Sequence, residues 1–66
     1  MIFKIIVSKN RGAVHGEFSD LERAKNHLNT VVPVYIDRGI FMDKDLRVGD
    51  FEIIDSNGLT VAKYGD

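Results

Sequence analysis

The sequence contains no cysteine, one proline, two histidines and no long apolar run. Without cysteine there is neither a disulfide nor a thiolate metal site. Two histidines, His15 and His27, are too few for a histidine-rich metal centre, and no metal or other cofactor is expected. No apolar stretch approaches the ~18 residues of a membrane span. The opening "MIFKIIVSK" is too short for a signal peptide and lacks a small-residue cleavage site. No membrane association is expected, and the lack of cysteine agrees with a cytoplasmic location. Repeats and low-complexity segments are absent. So is a strong charge of one sign: the net charge is −1, whereas a dedicated nucleic-acid binder usually carries a strongly basic footprint.

The chain has 66 residues, 44% of them apolar and 29% charged. These proportions describe one ordinary globular domain, residues 1–66. A domain this short buries only about 60% of the surface its unfolded chain exposes, and its stability is marginal. Small scaffolds usually add a disulfide, a metal or self-association. With the first two unsupported, an economical fold or a homodimer is expected. The charge is mildly segregated: residues 1–28 carry five Lys/Arg and three acids, residues 29–66 four Lys/Arg and seven acids.

"MIFKIIVSK" is β-branched and aromatic-rich and predicts a strand, with Phe3, Ile5 and Val7 on one face. "KNRG" (9–12) is turn chemistry, with Asn10 and Gly12 suited to positive φ. "AVHGEF" alternates and completes a hairpin. In "SDLERAKNHLN", Ser19 and Glu22 form a capping box. Asp20 and Glu22 suit the positive end of the helix dipole. Leu21, Ala24 and Leu28 make one apolar stripe. The helix is expected to end at Asn29 or Thr30, because Val31, Val32 and then Pro33 oppose its continuation. "VVPVYID" (31–37) predicts a strand, placed at an edge by Pro33. "FEIID" and "LTVAKY" predict a second hairpin turning at Asn57-Gly58.

The expected architecture is α+β and two-layered: a mostly antiparallel sheet in β-β-α-β-β-β order with one helix on one face. The expected core is Phe3, Ile5, Val7, Val14, Phe18, Leu21, Ala24, Leu28, Val34, Ile36, Phe51, Ile53, Leu59 and Val61. On this register Ile2, Ile6, Tyr35, Ile54 and Tyr64 fall on the other face. They are either scattered surface apolars or a patch for a partner, and a one-residue slip would exchange the faces.

In "RGIFMDKDLRVGDF", Ile40–Met42 is expected to extend the edge strand past a bulge at Gly39. Phe41 then either enters the core or joins Met42 as an interface anchor, since both residue types are enriched at interfaces. The candidate partner-binding residues are Tyr35, Arg38, Phe41, Met42, Ile54 and Tyr64.

Catalytic chemistry is not indicated. Glu17, Asp20 and Glu22 lie near His15 and His27 in sequence, and a histidine beside a carboxylate can act as a general base; capping acids and two solvated histidines explain the same residues. Asp43, Asp45 and Asp50 superficially suggest a calcium loop, but Arg47 and Gly49 stand where the loop needs other residues, and a terminal glutamate is missing. There is no phosphate-binding glycine loop, nucleophile elbow or zinc pattern, and no enzyme is expected. The alternative is a nucleic-acid-binding regulator using a basic edge of Lys9, Arg11, Arg23 and Lys25. No aromatic stands among these residues to stack on bases.

The layout "GEFSDLERAK…FEIIDSNGLTVAKYGD" resembles many small proteins of bacteriophages and mobile elements. In these a strand runs into a capped helix with an S-x-L-E-x-A-K start, and a terminal hairpin turns at Asn-Gly. Its element order also resembles that of small anti-CRISPR proteins. Such families act by stoichiometric protein binding, so the resemblance implies an inhibitor or adaptor of a host protein. It carries no individual functional residue with it.

Overall fold

The computed structural model describes all 66 residues. The strands are β1 (Phe3–Val7), β2 (Asn10–Phe18), β3 (Phe51–Ile54) and β4 (Thr60–Lys63). They form one antiparallel sheet in the order β2-β1-β3-β4. Between β2 and β3 the chain makes helix α1 (Leu21–Asn26), which runs through a π-helical turn (His27–Val31) into α2 (Val32–Asp37). The helix packs on one face of the sheet, giving the expected two-layer α+β fold.

The residue expected to stop the helix sits inside it. A proline in an α-helix removes one donor, and its ring crowds the carbonyl four residues back. Here the amide of Val32 reaches five residues back, to the carbonyl of His27. That wider π turn immediately precedes Pro33 and makes room for its ring. Residues 31–37 are therefore helical, not an edge strand, and the sheet has one strand fewer than predicted. Val32 and Ile36 extend the stripe of Leu21, Ala24 and Leu28 into the core.

The N-cap is also one residue later than expected. Asp20, not Ser19, caps the helix: its carboxylate accepts the Glu22 amide at 2.9 Å. Asp20→Ala is expected to cost about 1 kcal/mol in urea denaturation, with Ser19→Ala nearly neutral. The opposite ranking would return the cap to Ser19.

At the other end the helix closes in a Schellman motif. Gly39 takes φ 67°, its amide donates to the Ile36 carbonyl, and the Ile40 amide donates to that of Tyr35, both at 3.1 Å. The Arg38–Gly39 dipeptide is thus a helix terminus rather than a bulge in a strand, and it reverses the chain so that Phe41 packs against the core.

The first hairpin turns at Ser8–Lys9. Asn10 to Gly12 belong to β2, and Gly12 does not use positive φ. The register of β2 on β1 shifts twice: Ile5 faces Gly16, Ile6 faces Val14, and Val7 faces Asn10. These shifts expose Val14, which was expected in the core. The second hairpin turns as expected, with Gly58 at φ 82° and the Asp55 carboxylate accepting the amides of Asn57 and Leu59. A register shift in β4 turns Ala62 inward and leaves Leu59 and Val61 exposed; Val34 on α2 is exposed as well. The core is completed by Leu46 and, packed against it, Phe41 and Val48.

Candidate functional site

The two faces of the sheet differ in chemistry. On the face away from the helix, Ile6 is fully buried and pairs with Glu52 on β3. The Glu52 carboxylate accepts from Ser8 at 3.0 Å, Arg11 at 2.6 Å and Thr60 at 2.8 Å. Glu52 is only 6% exposed, shielded by this single layer of polar side chains. The hydrogen bond from Thr60 leads the effects that hold its pKa below the ordinary range, followed by those from Ser8 and Arg11 and by the Arg11 charge; burial opposes them. Arg11 also donates to the Gly58 carbonyl at 2.7 Å. Ile54 lies on this face too, beside a shallow depression of about 420 Å³ bordered by Ile2, Lys4 and Glu17. Much of the face expected to be apolar is therefore polar.

The helix face is aromatic. His15 from β2 and His27 from the π turn meet with their Nε2 atoms 3.0 Å apart. Tyr35 and Phe41 stand edge-on to His15, with ring centroids 5.8 and 5.4 Å away, and Phe51 lies beneath at 6.0 Å. Phe18 packs on His27 at 5.1 Å. Both histidines are half-buried, so neither is the solvated residue read from sequence. Burial pushes both imidazole pKa values down, and the neighbouring His27 lowers that of His15 further. Neither ring is hydrogen-bonded to the acids near it in sequence: Asp20 caps the helix, and Glu17 faces Lys4 across the sheet.

Beside this cluster, the loop after the helix and strand β2 enclose a groove of about 330 Å³, lined by residues that include Ala13, Val14, His15, Phe41 and Met42, with Phe51 fully buried behind them. The loop is tied down at its rim. Lys9 at the hairpin tip pairs with Asp43 at 2.8 Å, and Asp43 also accepts the Asp45 amide. Asp50 accepts the Arg47 amide. The carboxylates of Asp43 and Asp50 thus serve an ion pair and local turns, to which Asp45 contributes its backbone amide. Met42 is 99% exposed and Ile40 56%.

Of the six candidate partner-binding residues, the structure brings Tyr35, Phe41 and Met42 to this region. The Tyr35 and Phe41 ring centroids are 6.2 Å apart. Phe41 is half-buried and points inward. Arg38 is exposed at the helix end. Ile54 lies on the opposite sheet face. Tyr64 is exposed near the carboxyl end, where Gly65 donates to the Asn29 side chain. The four basic residues do not gather into one edge. Lys9 pairs with Asp43, Arg11 turns to Glu52 across the far face, and Arg23 and Lys25 ride on the helix, with Lys25 3.9 Å from Glu22.

Sequence reasoning missed Val14 as exposed surface, the histidine pair and buried Glu52. His27 lies three residues after Ala24, on the buried side of the helix, and that spacing was a usable signal. No comparable pattern marks Glu52, whose partners are up to 44 residues away.

The fold and groove define a small two-layer α+β domain with one apolar cleft beside a sheet edge. Comparison with protein-family models, curated proteins and solved structures found no match for this chain. No helix is long and apolar enough to cross a membrane.

Proposed function

We propose that this protein is a non-catalytic interaction module that docks an extended segment of a protein partner into the groove between β2 and the Ile40–Met42 loop. The observation that carries the reading is Met42, fully exposed at the lip of an apolar groove. A large side chain left in water beside exposed Val14 and Ile40 gains most from being covered. An extended partner fits because β2 is an edge strand of nine residues that pairs only with β1. Its other edge offers backbone donors and acceptors to an added strand, while the groove takes alternate side chains. The resemblance to small phage proteins supports the same reading, a stoichiometric modulator of a host protein.

Selection of peptides from a random library on the immobilised protein tests this. Enriched peptides should be extended, carry an apolar anchor and shift backbone resonances of β2 and residues 40–46. Met42→Lys and Val14→Lys should each weaken binding more than about tenfold, and Lys63→Glu on β4 should not. No enrichment, or binding that maps to the face bearing Glu52, would overturn the reading. Self-association seen by sedimentation and abolished by Met42→Lys would assign the groove to a second copy and overturn the foreign partner.

A further inference from the structure

We propose that His15 and His27 form a binding site for a divalent transition ion of the zinc class, with the two Nε2 atoms as its protein ligands.

The site is assembled from two elements that the fold brings together. His15 comes from β2 and His27 from the π turn, and their Nε2 atoms converge to 3.0 Å. Imidazole nitrogens bind zinc at about 2.0–2.1 Å. Two such bonds place the nitrogens about 2.9 Å apart at a right angle and about 3.4 Å apart at the tetrahedral angle. The observed separation already lies in that interval. The rings are also held in place: Tyr35 and Phe41 stand edge-on to His15, and Phe18 packs on His27. A ligand pair fixed by its surroundings loses little freedom when an ion arrives.

The protonation chemistry suits the same role. In the free protein one Nε2 must carry a hydrogen to bridge the pair, and the other accepts it. Burial lowers the pKa of both rings, in the direction of the neutral imidazole that binds a metal. Moving the bridging hydrogen to Nδ1 of its own ring frees a lone pair on both Nε2 atoms, with no net proton release.

The ion class follows from the donors. Imidazole suits zinc, nickel and copper, whereas magnesium and calcium demand oxygen ligands. No third histidine, cysteine, aspartate or glutamate completes the set. Asp43 lines the same groove as His15, but Lys9 holds it. The remaining coordination positions therefore fall to water or to a donor from outside the chain.

The chain has only these two histidines and no cysteine, which makes the test direct. Tag-free, ¹⁵N-labelled full-length protein is titrated with zinc chloride while the imidazole nitrogen resonances are followed. Both Nε2 signals should move together and saturate at one zinc per chain below about 1 mM. Magnesium chloride should move neither. His15→Ala and His27→Ala, each shown by circular dichroism to retain the fold, should weaken binding at least about tenfold, no less than the loss of an outer-shell partner typically costs. Movement of neither resonance, movement of one ring alone, or undiminished binding in a folded double variant would overturn the proposal. The wild-type titration decides the matter even where a variant does not fold.

Discussion

Phe51→Ala is expected to abolish cooperative folding at room temperature. Phe51 is the largest fully buried side chain, 1% exposed, and it touches both halves of the structure: the core cluster beneath the helix, and the rings of His15 and Phe41 that border the groove. Truncating a buried phenylalanine costs about 3–5 kcal/mol through lost transfer free energy and the cavity left behind. A single core in a chain of this size rarely supplies more than about 3–5 kcal/mol of stability. The two quantities meet, so the folded population should collapse. Circular dichroism melts and urea titrations will read this as loss of the cooperative transition. Phe41→Ala, which truncates a half-buried ring, should leave a folded protein with a lower midpoint. A Phe51→Ala protein that melts within about 1 kcal/mol of wild type would mean the core is far more tolerant than its packing indicates.

The second large effect is acid sensitivity through Glu52. Hydrogen bonds from Thr60, Ser8 and Arg11 stabilise its charged form and place its folded pKa below the unfolded value, near 4.5. For a carboxylate shifted in this direction, the stabilising contribution is complete above the unfolded pKa. It is lost as pH falls through the folded pKa. Hydrogen bonds to a charged group contribute about 1.5–3 kcal/mol each when well buried. Arg11 is half-exposed and its share is screened by solvent. Glu52→Gln keeps the shape and removes the charge, and is expected to cost about 1–2 kcal/mol at pH 7. The difference between the two proteins should shrink as pH drops below about 4.5. The histidines act earlier. Burial holds their folded pKa values below the ordinary 6.5, so the unfolded chain takes up protons first, and stability declines as pH falls below that value. That slope is common to both proteins and cancels in the comparison. Urea midpoints measured between pH 3 and 7 check the prediction; a Glu52→Gln penalty independent of pH would show that the carboxylate's charge is irrelevant.

Elements with local causes were legible in the sequence. The helix start, the Asn57-Gly58 hairpin and the outer strands all follow from residues close to one another. The apolar stripe was legible as well, and Val32 and Ile36 continue the spacing of Leu21, Ala24 and Leu28 into the second half of the helix. The prediction stopped at Thr30 because Pro33 and its β-branched neighbours oppose an α-helix. The π turn that reconciles proline with the helix has no local sequence signature. The displaced faces have a similar origin. A strand's side chains alternate strictly, so each register shift in β2 and β4 moves later residues to the other face. Val14, Val61 and Ala62 were misplaced for that reason. At the groove, Phe41 and Met42 were visible as unusual residues, but their division of labour depends on the Schellman turn at Gly39. The pairing of His15 with His27 depends on strand and π turn together.

The strand order carries a consequence for how the chain comes to fold. β1 is central, with the local hairpin strand β2 on one side and the remote β3 on the other, so that Ile5 pairs with Ile53. A nascent chain can close the first hairpin and wind its helix early, yet one edge of β1 stays open until residues 51–54 have been made. Contacts of such long sequence separation are slow to form, because loop closure must precede them. Until they form, β1 presents Ile5 and Ile6 along an unpaired edge, the kind of surface on which incomplete chains associate.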